Sequence, residues 1–359
     1  IEIPPIKAHH LTNGHLLNSR FSPELKAGGP IANTRGHLMK AVRIHEFGGI
    51  DVLRWEEVDQ PKPRPHQVLI KVESAGVNYA DVMRRGGTHP GGSLPSSLGI
   101  ESAGAIVEIG DDVKGMTVGQ RVMAMGPAGH AEYVVVSANF VFPYPETIDP
   151  IHAGGMPVDL LTAYHTLKTR GEMQPGDTVL IQAGASGVGT IAIQMAKAWG
   201  AKVITTASTE EKLALARSLG ADVTINYTDQ DFEEEVLRET EGKGVELVLE
   251  SVGGPVLEKS IRCVAPYGRL VAYGNASGTA ANLRSEDITP TNRSVIGFSM
   301  SRSPRGSLDN QAAMAEIFPM MGRGEIKLVV DRVLPMAEAG KAHQHLSSRG
   351  TLGKVILTP

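Results

Sequence analysis

A glycine-rich segment follows an apolar run in the middle of the chain. The run Thr178-Val-Leu-Ile-Gln-Ala183 leads into Gly184-Ala-Ser-Gly-Val-Gly189, and a helical pattern follows. Glycines at these spacings allow a tight turn, a close approach of the backbone to phosphate groups and close packing of a helix on its strand. Because the first N–H groups of a helix attract anions, the segment predicts a pyrophosphate-binding loop. The residues assigned to this loop are Gly184, Ser186, Gly187, Val188 and Gly189.

One residue of this loop departs from the strict dinucleotide pattern. Ser186 stands where the middle glycine of G-x-G-x-x-G is expected. Its hydroxyl is predicted to add a phosphate contact. The alternative is a strand-to-helix turn without a ligand, which the succession of strands and helices after the loop disfavours.

The residues after the second predicted strand bear on the choice of nucleotide. An NAD enzyme places an Asp or Glu there, about 20 residues after the loop, to bind the ribose 2′-hydroxyl. This chain has Ala207-Ser-Thr209 followed by Lys212. Hydroxyl groups and a cation suit a 2′-phosphate, so NADPH is predicted rather than NADH. The alternative for Lys212 is an ordinary solvated helix residue.

Two types of secondary-structure pattern divide the chain and position these residues. From Met39 to about Val158, short β-rich runs such as Val68–Val72 and Tyr133–Val136 are separated by Gly and Pro turns. Beyond Leu160, six apolar strands alternate with helices, which predicts a doubly wound parallel sheet of the Rossmann type. The fold class is therefore α/β, with a second, β-rich domain. The six strands are predicted at 178–182, 202–206, 223–226, 245–249, 269–273 and 294–298, and the helices at 190–199, 210–219, 232–240, 256–264 and 311–321.

Composition excludes several classes of protein. Lys and Arg number 35 and Asp and Glu 39, giving a net charge of −4, and aromatic residues make up 4% of the chain. This balance disfavours nucleic-acid binding, which needs a basic surface and, for single strands, interleaved aromatics. No apolar stretch approaches the roughly 18 residues that span a bilayer. The single cysteine, Cys263, cannot form an intrachain disulfide, and we expect a cytoplasmic protein.

The first 38 residues lack the periodicity of the rest of the chain. They show no sustained strand or helix pattern, whereas Met39 opens a strand-like alternation. We expect residues 1–38 to be a vector-derived or disordered leader rather than a transit peptide, with Met39 as the native start.

Five segments of the chain resemble the medium-chain dehydrogenase/reductase superfamily, specifically its zinc-free quinone oxidoreductase branch. They follow the family's order between Met39 and Pro359. The resemblance implies a GroES-like catalytic domain formed by residues 39–158 and 301–359, and a Rossmann cofactor-binding domain formed by residues 159–300. The segments are Ala75-Gly-Val-Asn-Tyr-Ala-Asp81, Leu98-Gly-Ile-Glu-Ser-Ala-Gly104, Val118-Gly-Gln-Arg-Val122, Ala183-Gly-Ala-Ser-Gly-Val-Gly189 and Tyr273-Gly-Asn-Ala-Ser-Gly278.

The zinc ligands of the superfamily's zinc-dependent members are missing. Those relatives have a Cys at the position of Asn78 and a His at the position of Ile100. A catalytic zinc needs about three N, S or O ligands from the protein, so no metal is predicted. The pair His343-x-His345 has no partner at a recognisable spacing and is interpreted as surface or core histidine.

The resemblance also implies roles for individual residues. Asn78 and Tyr79 resemble the family's catalytic pair at the substrate and nicotinamide end, and Asp81 resembles a structural residue. Thr162 resembles a residue near the nicotinamide, and Asn275 one beside the cofactor. His89 replaces a tyrosine that relatives often carry. The residues that resemble the family's 2′-phosphate contacts are Ser208, Lys212, Tyr227 and Arg349, of which Arg349 is alternatively a plain surface residue.

Without a metal to polarise a carbonyl, the acceptor must already be electrophilic, such as a quinone or an α,β-unsaturated carbonyl. The resemblance implies an NADPH-dependent quinone oxidoreductase in which Tyr79 or water supplies the proton; alternatively, Tyr79 is an aromatic wall. Two other functions remain open at this stage, an enoyl or 2-alkenal reductase and a non-catalytic, crystallin-like NADPH-binding protein. Relatives pair the last strand of the cofactor domain across a two-fold axis, so a homodimer is expected.

Overall fold

The computed structural model describes residues 37–89, 93–303 and 308–359. The leader predicted over residues 1–38 lies outside them, apart from His37 and Leu38, and Leu38 already belongs to the first strand. Within the described residues, no helix is long and apolar enough to cross a membrane.

The N-terminal part is built from antiparallel strands in two sheets. Strand β1 lies between β2 and β4 in a small sheet, and β3 lies at the centre of a larger one that includes β5, β6, β7 and β8. Two short helices accompany them. The elements are β1 Leu38–Ile44, β2 Arg54–Asp59, β3 Gln67–Val77, α1 Tyr79–Arg85, β4 Ser96–Ser97, β5 Glu101–Ile109, β6 Arg121–Met125, β7 Tyr133–Ser137, β8 Val141–Pro143 and α2 Pro150–Ala153.

The middle part contains the predicted six-stranded sheet. All its strands are parallel, in the order β11-β10-β9-β12-β13-β14. This is the order of a Rossmann sheet, with the reversal beside β9, where the crevice for a dinucleotide forms. The elements are α3 Pro157–Tyr164, β9 Thr178–Ile181, α4 Gly187–Ala198, β10 Lys202–Ala207, α5 Glu210–Ser218, β11 Val223–Asn226, α6 Phe232–Glu239, β12 Val245–Glu250, α7 Gly254–Arg262, β13 Val264–Ala272 and β14 Ser294–Gly297.

The C-terminal residues return to the first part of the chain. Helix α8 (Asn310–Gly322) precedes β15 (Val330–Pro335), α9 (Ala339–Ser347) and β16 (Lys354–Thr358). Strand β16 pairs with β15 on one side and antiparallel with β3 on the other. The return of β16 places the last residues of the chain beside Asn78, which directly follows β3.

Element boundaries differ from the sequence prediction where local contacts decide them. Helix α4 begins three residues earlier than predicted, because the Ser186 side chain caps it. Strand β13 begins at Val264, which pairs with Val245 across a register shift. Strand β15 begins only at Val330, and the preceding Ile326 and Leu328 pack into the main core.

Candidate cofactor-binding and catalytic site

The glycine loop turns sharply at the carboxyl end of β9. Ala183 has a φ of +56°, and Ser186 Oγ accepts a hydrogen bond of 3.0 Å from the Gly189 amide. A Cβ at Gly184 would lie 2.1 Å from Thr205 Oγ1, and one at Gly189 would lie 2.3 Å from the Ala183 oxygen. Gly184 and Gly189 therefore have no room for a side chain. Ser186 caps helix α4, and its phosphate contact stays a prediction.

Gly187 is the first residue of α4. The first N–H groups of a helix have no acceptor within it, and those of Gly187 and Val188 lie where an anion would be held. On its other side, Gly187 lies against a buried carboxylate: a Cβ there would be 2.2 Å from Asp159 Oδ2. The loop thus has the shape and dipole that suit a pyrophosphate.

The four residues assigned to the 2′-phosphate form two neighbouring pairs in the structure. Ser208 and Tyr227 follow β10 and β11, which are aligned at Ala207 and Asn226. Lys212 Nζ donates a hydrogen bond to the Arg349 carbonyl oxygen. Burial lowers the pKa of Lys212. Lys212 is therefore turned towards the C-terminal segment and is not a freely solvated helix residue.

The C-terminal segment also touches the glycine loop directly. The backbone N–H of Gly353 donates a hydrogen bond of 2.8 Å to the Ala185 carbonyl oxygen, and Gly353 forms an isolated parallel β-bridge with Ser186. Arg349, four residues earlier, has a φ of +58° and is exposed. The described residues offer it no carboxylate partner, which leaves its guanidinium available to an anionic ligand.

Asn78 caps helix α1 at the end of β3. The backbone N–H of Asn78 donates a hydrogen bond of 2.9 Å to Asp81 Oδ2. The other oxygen, Asp81 Oδ1, accepts one of 3.1 Å from the backbone N–H of Gly99. Asp81 is fully buried. Asp81 thus has the structural role expected of it, and it fixes the backbone from which the Asn78 and Tyr79 side chains project.

The side chain of Asn78 belongs to a buried charged cluster that the sequence analysis missed. Its Nδ2 donates a hydrogen bond of 2.8 Å to Glu101 Oε1, and its Oδ1 accepts a hydrogen bond of 2.8 Å from Lys354 Nζ. Lys354 Nζ lies 2.7 Å from Glu101 Oε1 and 3.1 Å from Asp159 Oδ1. Glu101, Asp159 and Lys354 each interrupt an apolar segment of the sequence. A charged residue in such a segment is the sequence signal from which the cluster could have been predicted.

The cluster carries two carboxylates against one ammonium group. Burial lowers the pKa of Lys354, but the carboxylates of Asp159 and Glu101 outweigh it and raise the pKa overall, so Lys354 stays charged. Burial raises the pKa of Asp159 to about 6, against the attraction of Lys354. Asp159 Oδ2, which faces Gly187, has no hydrogen-bond partner in the part of the chain that the structure describes.

Tyr79 spans the cleft between the two sheets. Its hydroxyl donates 3.0 Å to the Ala276 carbonyl oxygen, in the loop after β13. Asn275, which precedes Ala276 in this loop, lies against Gly253. The side-chain amide of Asn275 is placed to donate to the carbonyl oxygens of Val252 and Thr279. Asn275 therefore braces its own loop. Thr162 is buried in α3, one turn beyond Asp159.

A cavity of about 710 Å³ opens at the carboxyl ends of β13 and β14. Its walls include Tyr273, Gly274 and Phe298, with Arg170 and Arg302 at the rim. The Tyr273 hydroxyl is buried without a partner among the described residues, and burial raises its pKa. The cavity lies beside the start of the loop whose Ala276 accepts the Tyr79 hydrogen bond, but neither Asn78 nor Tyr79 belongs to its lining.

Residues 37–89, 93–303 and 308–359 contain no group of three or more His, Cys, Asp or Glu that could hold a metal ion. His345 Nε2 lies 2.5 Å from Asp331 Oδ2, and His343 is buried with both ring nitrogens unpartnered. The two histidines of the His-x-His pair thus lie in different surroundings.

Family models match both parts of the chain. A model described as alcohol dehydrogenase GroES-like domain matches residues 64–146, and one described as zinc-binding dehydrogenase matches residues 187–318. The second begins at Gly187, inside the glycine loop, and the first includes Asn78 and Ile100.

Individual relatives match nearly the full described chain. A quinone oxidoreductase of Pseudomonas aeruginosa is 34% identical over 325 residues, which are 90% of this chain and 100% of the relative. A 2-haloacrylate reductase of a Burkholderia species is 36% identical over 335 residues, 90% of this chain and 99% of the relative. The crystal structure of Escherichia coli quinone oxidoreductase complexed with NADPH matches with a TM-score of 0.85 and 31% identity, over 89% of this chain and 100% of that one.

Proposed function

Because this chain belongs to the quinone oxidoreductase branch of the medium-chain dehydrogenase/reductase superfamily, we propose that it is an NADPH-dependent reductase of quinones or other activated carbonyl compounds that works without zinc. One observation carries the proposal. The glycine loop, Ser208, Lys212 and Arg349 lie along one edge of the parallel sheet, and no carboxylate stands at Ser208, where a 2′-phosphate would be repelled. The polar residues fit the phosphorylated dinucleotide.

Separate groups of residues bind the different parts of the cofactor. The loop from Gly184 to Gly189 holds the pyrophosphate, and Ser208, Lys212, Tyr227 and Arg349 hold the 2′-phosphate. Thr162 and Asn275 line the cofactor on the nicotinamide side. Bound NADPH supplies the hydride at this end of the cleft.

Asn78 and Tyr79 act on the acceptor. Asn78 Nδ2 has a second N–H, beyond the one bound to Glu101, to offer an oxygen that gains negative charge. Tyr79 supplies the proton, for which its hydroxyl must exchange the Ala276 oxygen for the acceptor oxygen. The acceptor must be electrophilic by itself, because among the described residues the only positive charge in contact with Asn78 belongs to Lys354 and is already shared between two carboxylates.

A second function, reduction of an activated carbon–carbon double bond, is favoured by the similarity to the 2-haloacrylate reductase. The same residues serve it, since hydride addition to an enone also leaves an anionic oxygen to be stabilised and protonated.

Steady-state assays with matched cofactors and acceptors test both functions. The purified chain is given NADPH or NADH with an ortho-quinone, a para-quinone, a 2-alkenal and an enoyl thioester. We expect turnover of a quinone with NADPH preferred by at least about tenfold in kcat/KM. A preference for NADH contradicts the assignment of Ser208 and Lys212, and turnover of the thioester alone moves the function to enoyl reduction. Stoichiometric zinc in the active protein contradicts the zinc-free mechanism.

We also propose a cytoplasmic homodimer with the domain division expected from sequence, residues 39–158 and 301–359 against 159–300. Strand β14 supports the dimer, because its outer edge is unpaired among the described strands and carries Val295 and Ile296, half-buried, between exposed Ser294 and Gly297. Light scattering of the purified chain measures the state, and a monomer contradicts it.

A further inference from the structure

Lys354 is the only cation in a buried cluster that touches both halves of the proposed site. Only 3% of its side chain is exposed, and Glu101 and Asp159 are similarly buried. The ammonium group contacts Asn78 Oδ1, Glu101 and Asp159. A buried ammonium with three oxygen partners has its hydrogen-bonding capacity filled.

The cluster fixes the orientation of the Asn78 amide. An amide can be turned by 180° with little change in shape, but here the oxygen faces the Lys354 ammonium and the nitrogen faces the Glu101 carboxylate. The turned amide would point its nitrogen at a cation and its oxygen at an anion. Asn78 is therefore held in one state before any ligand arrives.

The same ammonium group is connected to the glycine loop. Lys354 Nζ contacts Asp159 Oδ1, and the other oxygen of that carboxylate lies against Gly187, where an added Cβ would be 2.2 Å away. Gly187, Asp159, Lys354 and Asn78 thus form one continuous series of close contacts.

Close packing surrounds the stem of the Lys354 side chain. A Cβ at Gly76 would lie 2.7 Å from Lys354 Cε, and one at Gly155 would lie 2.8 Å from Lys354 Cγ. Because both positions lack a side chain, they leave room for the stem.

We propose that Lys354 is a positioning residue that fixes the Asn78 amide and, through Asp159, couples it to the cofactor-binding loop at Gly187. The Asn78 amide, already held in one orientation, and the pyrophosphate loop are thereby kept in a fixed relation, so that both parts of the site are prepared for the cofactor. The inference deepens the proposed function and rests on it for the identity of the cofactor.

A double-mutant cycle in the full chain tests the coupling. NADPH dissociation constants are measured from nicotinamide fluorescence for the wild type, Lys354→Met, Asn78→Ala and the double variant, without any acceptor present. We expect each single substitution to weaken NADPH binding by roughly fivefold or more, and Lys354→Met to add less than about twofold once Asn78 is absent. Additive effects, or no effect of Lys354→Met, would overturn the proposal.

A control lysine separates positioning from stability. Lys197, at the opposite end of α4, pairs with Asp222 at 2.8 Å. Lys197→Met should lower the melting temperature of the apoprotein without changing NADPH binding, and its effects should add to those of Asn78→Ala. Non-additivity for Lys197 as well would show that the cycle reports general destabilisation and would overturn the inference.

A second variant serves if Lys354→Met does not fold. Asp159→Ala leaves a neutral Lys354–Glu101 pair inside the protein and removes both the contact of Asp159 with Lys354 and its contact with Gly187. We expect it to weaken NADPH binding in the presence of Asn78 and to have less than about twofold effect in the Asn78→Ala background; additivity contradicts the proposal. NADPH binding with this coupling but no turnover of any acceptor would refute the reductase function alone, whereas absence of dinucleotide binding would refute both.

Discussion

The side-chain oxygen of Asn78 accepts a hydrogen bond of 2.8 Å from Lys354 Nζ, although 276 positions separate the two residues in the chain. The contact exists because β16 pairs with β3 and ends the chain beside the helix that Asn78 caps. It places a polar side chain of the proposed catalytic pair under the control of a residue near the C-terminus.

Loss of the Asn78 side chain should destabilise the folded protein. Asn78→Ala leaves one N–H of the buried Lys354 ammonium without an acceptor and removes a donor to Glu101, at a cost of about 1–3 kcal/mol in the free energy of unfolding. Denaturant unfolding measures it. The control is Asn282→Ala, at an exposed position, which should change the free energy by less than about 0.5 kcal/mol. Equal stability of Asn78→Ala and the wild type would mean that water replaces the amide at no cost.

A methyl group at Gly187 should disrupt the loop. Gly187→Ala would place its Cβ 2.2 Å from Asp159 Oδ2, so either the carboxylate or the loop must move. We expect NADPH binding to weaken by on the order of tenfold or more, measured by fluorescence titration. Gly322→Ala is the matched control, since no atom lies within 4 Å of a Cβ there. Wild-type affinity in Gly187→Ala would show that the loop tolerates the shift.

The charge at Lys212 should discriminate between the two dinucleotides. Removing its ammonium group in Lys212→Ala eliminates a cation from the proposed 2′-phosphate site and leaves the rest of the cofactor untouched. The KM for NADPH should rise by roughly tenfold while the KM for NADH changes by less than about twofold. Lys243→Ala, exposed and paired with Glu241, is the control. A parallel rise in both KM values would assign Lys212 to folding instead.

The Tyr79 hydroxyl should contribute to turnover rather than to substrate binding. Tyr79→Phe removes the proposed proton donor, and kcat should fall by on the order of tenfold or more with a smaller change in KM. The exposed Tyr267 provides the control variant Tyr267→Phe. Full kcat of Tyr79→Phe on every acceptor would leave Tyr79 as an aromatic wall.

Buried His343 should make the protein sensitive to acid. Burial, with help from His130 and Arg85, lowers the pKa of His343 to about 3. The unfolded chain therefore takes up a proton near the ordinary pKa of about 6.5, while the folded protein does not, and stability is lost as the pH falls from there towards 3. At pH 5 the loss is about 2 kcal/mol.

Replacement of this histidine should remove that loss. Melting temperatures of the wild type and His343→Leu are compared between about pH 7 and pH 5, and the variant should lose less stability over the range. His45→Leu, at an exposed position, serves as the control. An identical pH dependence of the wild type and His343→Leu would contradict the assignment.

Local pattern in the sequence was sufficient to identify the dinucleotide loop. The role of each glycine in the loop is predicted from the strand before it and the helix after it, and both of these follow from neighbouring residues. The parallel sheet was likewise predictable, because each of its strands is a short apolar run followed by a helix. The starts of α4 and β13 were not, since a capping hydroxyl and a register shift between strands decide them.

The charged cluster could not be assembled from the sequence. Asp159 stands in a helix that the sequence analysis did not predict, and Lys354 in a strand whose only sequence signal was its apolar neighbours. A buried lysine is tolerable only where carboxylates meet it, and nothing in the local sequence shows which carboxylates those are.

The sequence by itself determined the glycine loop, the absence of an acidic residue at Ser208, and the absence of Cys and His at Asn78 and Ile100. These depend on which side chain occupies a position in a local motif. Only the tertiary structure decided that Asn78 is held between Glu101 and Lys354, and that Asp159 connects the same ammonium group to Gly187. The physical reason is that these contacts join five separate parts of the chain, and their strength arises from burial that exists only once both sheets have packed against the loop.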